Sequence, residues 1–196
     1  RARADDGVVA HRDAGQNQRR RPDPAVPPDR HRPAVGDRDL ALAAMRQLIA
    51  QETEGVDLVI YAAGGVRANP LHKTDPDDWS AVMAANLDGA YLTARSSLNL
   101  LNKGGQMMFI GAYVHKITMP RMGAYVTAKA GLESLFTVLQ KENRKIKMTL
   151  VRPPAVDTPF WENAPFKLPD GAMKPAQVAE AMLNHYATES GGELDL

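Results

Sequence analysis

Three short apolar runs, each closed by glycine or proline, set the strongest limit on how this chain folds. They are Asp57-Leu-Val-Ile-Tyr-Ala-Ala-Gly64-Gly65, Gln106-Met-Met-Phe-Ile-Gly111, and the end of Lys145-Ile-Lys-Met-Thr-Leu-Val-Arg152, which alternates before it runs apolar and is followed by Pro153-Pro154. A strand with one wet face alternates apolar and polar residues. A run that is apolar throughout is buried on both faces, as in a parallel sheet covered by helices on each side.

The stretches between the runs have helical spacing. Residues 37–53 open on Asp37 as a cap and place Ala41, Met45, Leu48 and Ile49 on one face, with Gly55 as a stop. Residues 76–101 follow a Thr74 or Asp75 cap, with Pro76 near the first position and Asp77 and Asp78 against the positive end. With a stop at Lys103-Gly104-Gly105, this predicts one helix of about 25 residues, long enough to cross a sheet. Residues 123–143 predict another helix, and Pro175 opens a further one. Residues 112–122 and 155–173 read as loops, the second with short helical turns and with Phe160, Trp161 and Phe166. Residues 193–196 read as a last strand. Strands alternating with helices predict a doubly wound α/β fold with a parallel sheet.

Residues 1–36 break the pattern. They contain no Leu, Ile, Met, Phe, Tyr, Trp or Lys, and much Arg and Pro. Such a segment cannot offset its conformational entropy by burial. It is expected to be disordered or an out-of-frame reading, leaving 37–196 as the folded part. Its Arg runs suit phosphate, but it has no aromatic to stack a base, and Asp5, Asp6, Asp13, Asp23 and Asp29 dilute the charge. No nucleic-acid partner is expected. The chain has no cysteine, its five His are scattered, and its net charge is +1, so no metal site is expected. No apolar run approaches the roughly 20 residues of a membrane span. A cytoplasmic setting without a membrane partner is the expectation.

Sheets of this kind bind ligands outside the carboxyl ends of their strands. Gly64, Ala112 and Pro153 all follow strand ends, and Tyr125 begins a helix shortly after one. Tyr125 and Lys129 stand four residues apart, on one helical face. A cation beside a phenol lowers its pKa from about 10. Such a pair can move a proton to or from an alcohol or ketone. The spacing alone also describes a half-exposed Tyr beside a solvated Lys. Asn86, mid-helix on the apolar side, reads equally as a polar residue satisfied by a local bond.

In order and spacing these residues resemble the short-chain dehydrogenase/reductase family. Tyr61-Ala62-Ala63-Gly64 is similar to its Asn-Asn-Ala-Gly motif, and Asn86 to its helical Asn. Tyr125-Val-Thr-Ala-Lys129 matches Tyr-x-x-x-Lys, and Arg152-Pro-Pro-Ala-Val156-Asp-Thr158-Pro resembles Arg-Pro-Gly-x-Val-x-Thr-Pro. The resemblance runs from about residue 37 to 187. It implies hydride transfer between NAD or NADP and a small alcohol or ketone in a Rossmann-like domain, with a homodimer or homotetramer as the assembled form. Tyr125 would be the general acid/base, Lys129 would lower its pKa and hold the nicotinamide ribose, and Asn86 would order the proton relay. Gly64, Pro153, Val156 and Thr158 would complete the cofactor site.

The chain departs from the family in three places. Ala112 stands thirteen residues before Tyr125, where the family has its catalytic Ser. No glycine-rich phosphate turn follows a strand in 1–36, so the first β-α-β unit is expected to be missing and cofactor binding impaired. Tyr61 and Ala62 replace the two Asn. The alternative reading is an inert or truncated relative that acts only through association with another subunit.

Overall fold

A computed structural model of the protein describes residues 51–196 together with Ala44, Gln47 and Ile49. All of them belong to the unit 34–196. The segment 1–36, the Asp37 cap and the first β-α-β unit lie outside the described residues. Of the helix expected over 37–53, Ala44, Gln47, Ile49, Gln51 and Glu52 are helical, and Thr53 N–H closes onto Ile49 O at 3.0 Å.

The apolar runs form a four-stranded parallel sheet. Its strands are β1 (Val56–Tyr61), β2 (Leu101–Ile110), β3 (Lys147–Arg152) and β4 (Gly192–Asp195), side by side in that order. Tyr61 pairs with Phe109, Phe109 with Leu150 and Leu150 with Glu193. Successive residues of a strand point to opposite faces. Both faces of β2 and β3 are covered, whereas β1, expected to be buried on both faces, has no fully buried residue and leaves Ile60 43% exposed. On one face, Met107, Phe109, Met148 and Leu150 pack against Ala90 and Ala94 of the helix Gly89–Ser97 and Leu132 and Phe136 of the helix Gly123–Glu142. Phe109 and Phe136 meet edge to face at 6.3 Å, a favoured aromatic geometry. On the other face, Met108 and Val151 pack against Val178 and Met182 of the helix Pro175–Ala187. The doubly wound reading therefore holds. No helix among the described residues is long and apolar enough to cross a membrane.

The single helix expected over 76–101 is not formed. An α-helix Pro76–Met83, capped by Asp75 Oδ1 on Asp77 N–H at 2.7 Å, runs into a π-turn Ala84–Asp88 and then a second α-helix Gly89–Ser97. The chain turns through Leu98–Leu100, where Leu100 N–H reaches Ser97 O. Strand β2 begins at Leu101, because Val56 N–H takes Leu100 O at 2.8 Å and draws the segment into the sheet. Lys103-Gly104-Gly105 thus lies within β2, at a register shift, and is not a helix stop. Strand β3 starts at Lys147, two residues later than expected, because Asn143 O and Ile146 N–H close a turn before it. The first loop contains a short helix, Val114–Ile117, and the second a 3₁₀ turn, Pro159–Glu162.

Candidate active site

The helix Gly123–Glu142 starts just past the carboxyl end of β2 and brings Tyr125 and Lys129 to that edge of the sheet. Lys129 is buried, 4% exposed, and its Nζ donates to Ile110 O at 2.8 Å. The ammonium lies 5.7 Å from the centre of the Tyr125 ring. Asn86 is wholly buried in the π-turn. Its Nδ2 donates to Gly65 O at 2.7 Å and to Val82 O at 2.9 Å, while its Oδ1 has no partner. A methyl on Gly64 would stand 2.8 Å from that oxygen and 3.8 Å from Lys129 Nζ. Lacking a side chain, Gly64 lets its backbone pass close beside a buried acceptor and a buried cation.

Gly64, Asn86, Ala112, Tyr125, Lys129, Pro153, Val156 and Thr158 all line one cavity of about 840 Å³. Every site residue read from the sequence is brought to it, and most of the remaining wall is apolar. Among the described residues no three His, Asp or Glu gather as a metal site.

The electrostatics correct one expectation. Tyr125 was to have its pKa lowered by Lys129. Burial instead pushes the phenol up to about 12 and the Lys129 amine down to about 8. Removing each group from water disfavours its charged form, and this outweighs the attraction between them.

A family model described as enoyl-(acyl carrier protein) reductase matches residues 35–190. The chain belongs to the short-chain dehydrogenase/reductase family. It is 36% identical to a short chain dehydrogenase, mpl6, of Monascus purpureus over 118 residues, which are 56% of this chain and 39% of that protein. It is 26% identical to the 3-oxoacyl-(acyl-carrier-protein) reductase FabG of Thermotoga maritima over 169 residues, 80% of this chain and 68% of that one. An alcohol dehydrogenase of Thermococcus sibiricus, solved with 5-hydroxy-NADP, superposes with a TM-score of 0.73 at 26% identity, over 81% of this chain and 69% of that one. The chain thus spans about two fifths of the Monascus protein (39%) and two thirds of the other two (68% and 69%).

In this short-chain dehydrogenase/reductase the cavity is roofed by the loop after β3. Phe160 sits against Tyr125 with ring centres 5.2 Å apart, and Trp161 meets Phe160 at 5.6 Å. Trp161 Nε1 donates to Val156 O at 2.7 Å, and Thr158 Oγ1 reaches the same carbonyl at 3.5 Å. The loop is pinned at its base. Asp157 N–H bonds Met173 O and Met173 N–H bonds Ala155 O, both at 2.9 Å, and Lys174 Nζ meets Asp157 Oδ2 at 2.6 Å. Ala112, 8% exposed, presents a methyl to the cavity.

Two features escaped the sequence reading. One is the hold of Ile110 O on Lys129, which no spacing rule encodes. The other is the bond from Tyr61 Oη to Ala85 O at 2.8 Å. Gly89, three residues after Asn86, was its available signal.

Proposed function

We propose that the chain is a nicotinamide-dependent oxidoreductase that interconverts an alcohol and a ketone, with Tyr125 as general acid/base. The observation that carries this is the convergence of buried Asn86 Oδ1 and Lys129 Nζ on the side-chain-free backbone of Gly64, in the wall of the cavity that Tyr125 also lines. An orphaned acceptor and a desolvated cation over a side-chain-free backbone suit the amide and hydroxyl groups of a nicotinamide riboside. Lys129 and Asn86 would hold that half of NAD or NADP, with Gly64, Pro153, Val156 and Thr158 as the surrounding wall. The cofactor, when bound, supplies or accepts the hydride.

Tyr125 then gives its proton to the carbonyl oxygen as the carbon is reduced, leaving a phenolate beside the Lys129 ammonium. Burial keeps the Tyr125 phenol protonated at neutral pH, so the proton is in place to be given. Phe160 and Trp161 cover the reacting end and exclude water. The apolar wall selects a small uncharged ketone over an anion. Loss of nicotinamide absorbance with a ketone panel, in the wild type but not in Tyr125→Phe, tests the reading. Equal rates in the two proteins would sink it.

A second reading rests on Ala112. The methyl stands where the family carries the hydroxyl that holds the substrate oxygen. An inert relative that acts through a second copy fits that loss. The helices Gly89–Ser97 and Gly123–Glu142 expose Tyr91 and Val138, which would serve such a homodimer or homotetramer.

A further inference from the structure

We propose that Tyr61 is a positioning residue whose hydroxyl holds the π-turn of residues 84–88 in the register that leaves Asn86 Oδ1 unbonded in the cavity wall. Tyr61 ends β1, and its Oη donates to Ala85 O at 2.8 Å, across 24 positions of sequence. In a regular α-helix Ala85 O would accept from Gly89 N–H. Here Gly89 N–H goes to Ala84 O, the i→i+5 bond of the π-turn. Tyr61 takes up the carbonyl that this register shift releases.

Gly89 makes the contact possible. A methyl there would stand 2.1 Å from Tyr61 Oη and 2.9 Å from its Cζ, so any side chain would displace the phenol. Tyr61, Ala85 and Gly89 form a matched set: a phenol that reaches in, a carbonyl turned out to meet it, and a missing side chain between them.

Asn86 is the next residue after the held carbonyl. Both hydrogens of its amide are spent on carbonyls, Gly65 O and Val82 O. Flipping the amide would set its oxygen against those two acceptors, so the orientation is fixed by chemistry. The remaining oxygen faces the Gly64 edge. Closing the π-turn to a regular register would turn the residues after it by about 100° about the helix axis. Tyr61 opposes that closure. π-turns inside α-helices occur often at functional sites, and this one has an identifiable prop.

The geometric part of the proposal stands alone, and its catalytic consequence rests on the oxidoreductase reading. The test uses Tyr61→Phe in the full chain, which keeps the ring and removes the hydroxyl. By nuclear magnetic resonance, the Asn86 side-chain amide hydrogens should exchange with water ~10-fold faster, with the backbone amides of the helix Gly123–Glu142 unchanged. In NADPH-dependent ketone reduction, kcat should fall ~10-fold with KM within about twofold. Gly89→Ala, which pushes the ring away, should give the same Asn86 signature by a different route. Asn86 exchange at the wild-type rate in both variants, or acceleration spread evenly over the chain, overturns the proposal. Faster Asn86 exchange with unchanged kcat overturns the positioning role. A wild type without turnover removes the oxidoreductase reading, while Asn86 exchange still decides the case for Tyr61.

Discussion

Lys129 Nζ is bonded to Ile110 O at 2.8 Å, so the cation beside Tyr125 is tied to the end of β2. It is held in place and out of water together. The consequence is a pH dependence of stability with a definite sign. Burial lowers the Lys129 amine from 10.5 to about 8. From pH 8 to 10.5 the unfolded chain carries a proton that the folded chain has lost, so stability rises with pH. Tyr125 acts oppositely. Its phenol keeps its proton to about 12 when folded and loses it near 10 when unfolded, so stability falls between those values. The thermal midpoint should climb from about pH 8 to 10 and then decline. Lys129→Met should flatten the climb, and a wild-type profile flat over this range would show that burial does not govern the amine.

Tyr125→Phe keeps the ring against Phe160 and removes the transferable proton. Turnover should drop by about 10²–10⁴. Thermal unfolding and nicotinamide affinity should stay near wild type. A turnover loss that tracks weaker cofactor binding would instead make Tyr125 a binding residue.

Ala112→Ser restores a hydroxyl at the cavity wall. A single preorganised donor to a developing oxyanion is worth about 10²–10³ in rate where it has been removed elsewhere. Steady-state kinetics should show a gain in kcat of about tenfold or more, since the loop was not shaped around this hydroxyl. No gain, with cofactor bound, would mean that another group already holds the substrate oxygen.

NADH and NADPH should bind a polypeptide of residues 1–196 alone weakly, because those residues carry no glycine-rich turn to receive the pyrophosphate. Fluorescence titration should give dissociation constants well above the micromolar range. Micromolar binding of either nucleotide would contradict the expectation and show that other groups hold the pyrophosphate.

The sheet and the residues that line the cavity were legible for the same reason. Strands buried on both faces are mostly apolar, so Met107-Met108-Phe109 and Leu150-Val151 announce themselves, while the buried polar pair Gln106 and Thr149 bond each other. The glycines and prolines that end them mark the ligand edge. The π-turn was not legible, because i→i+4 and i→i+5 bonding share one local pattern. What separates them here is a tertiary partner, Tyr61, 24 residues from Ala85. The early start of β2 depends likewise on Val56 N–H claiming Leu100 O. The direction of the Tyr125 shift was misread because sequence spacing gives the distance to Lys129 but not the desolvation around both groups.

The loop after β3 has its two ends zipped together by backbone bonds between residues 155–157 and 173 and by the Asp157–Lys174 pair. Those bonds fix the two ends of the loop relative to each other. Lengthening a loop whose ends are already joined costs little, roughly 0.6 kcal/mol per doubling. The interior, including Phe160, Trp161 and Phe166, can therefore diverge or be grafted from a relative while Tyr125, Lys129 and Asn86 keep their places. The loop that covers the cavity and the helix that carries Tyr125 and Lys129 are thus separate segments of one chain.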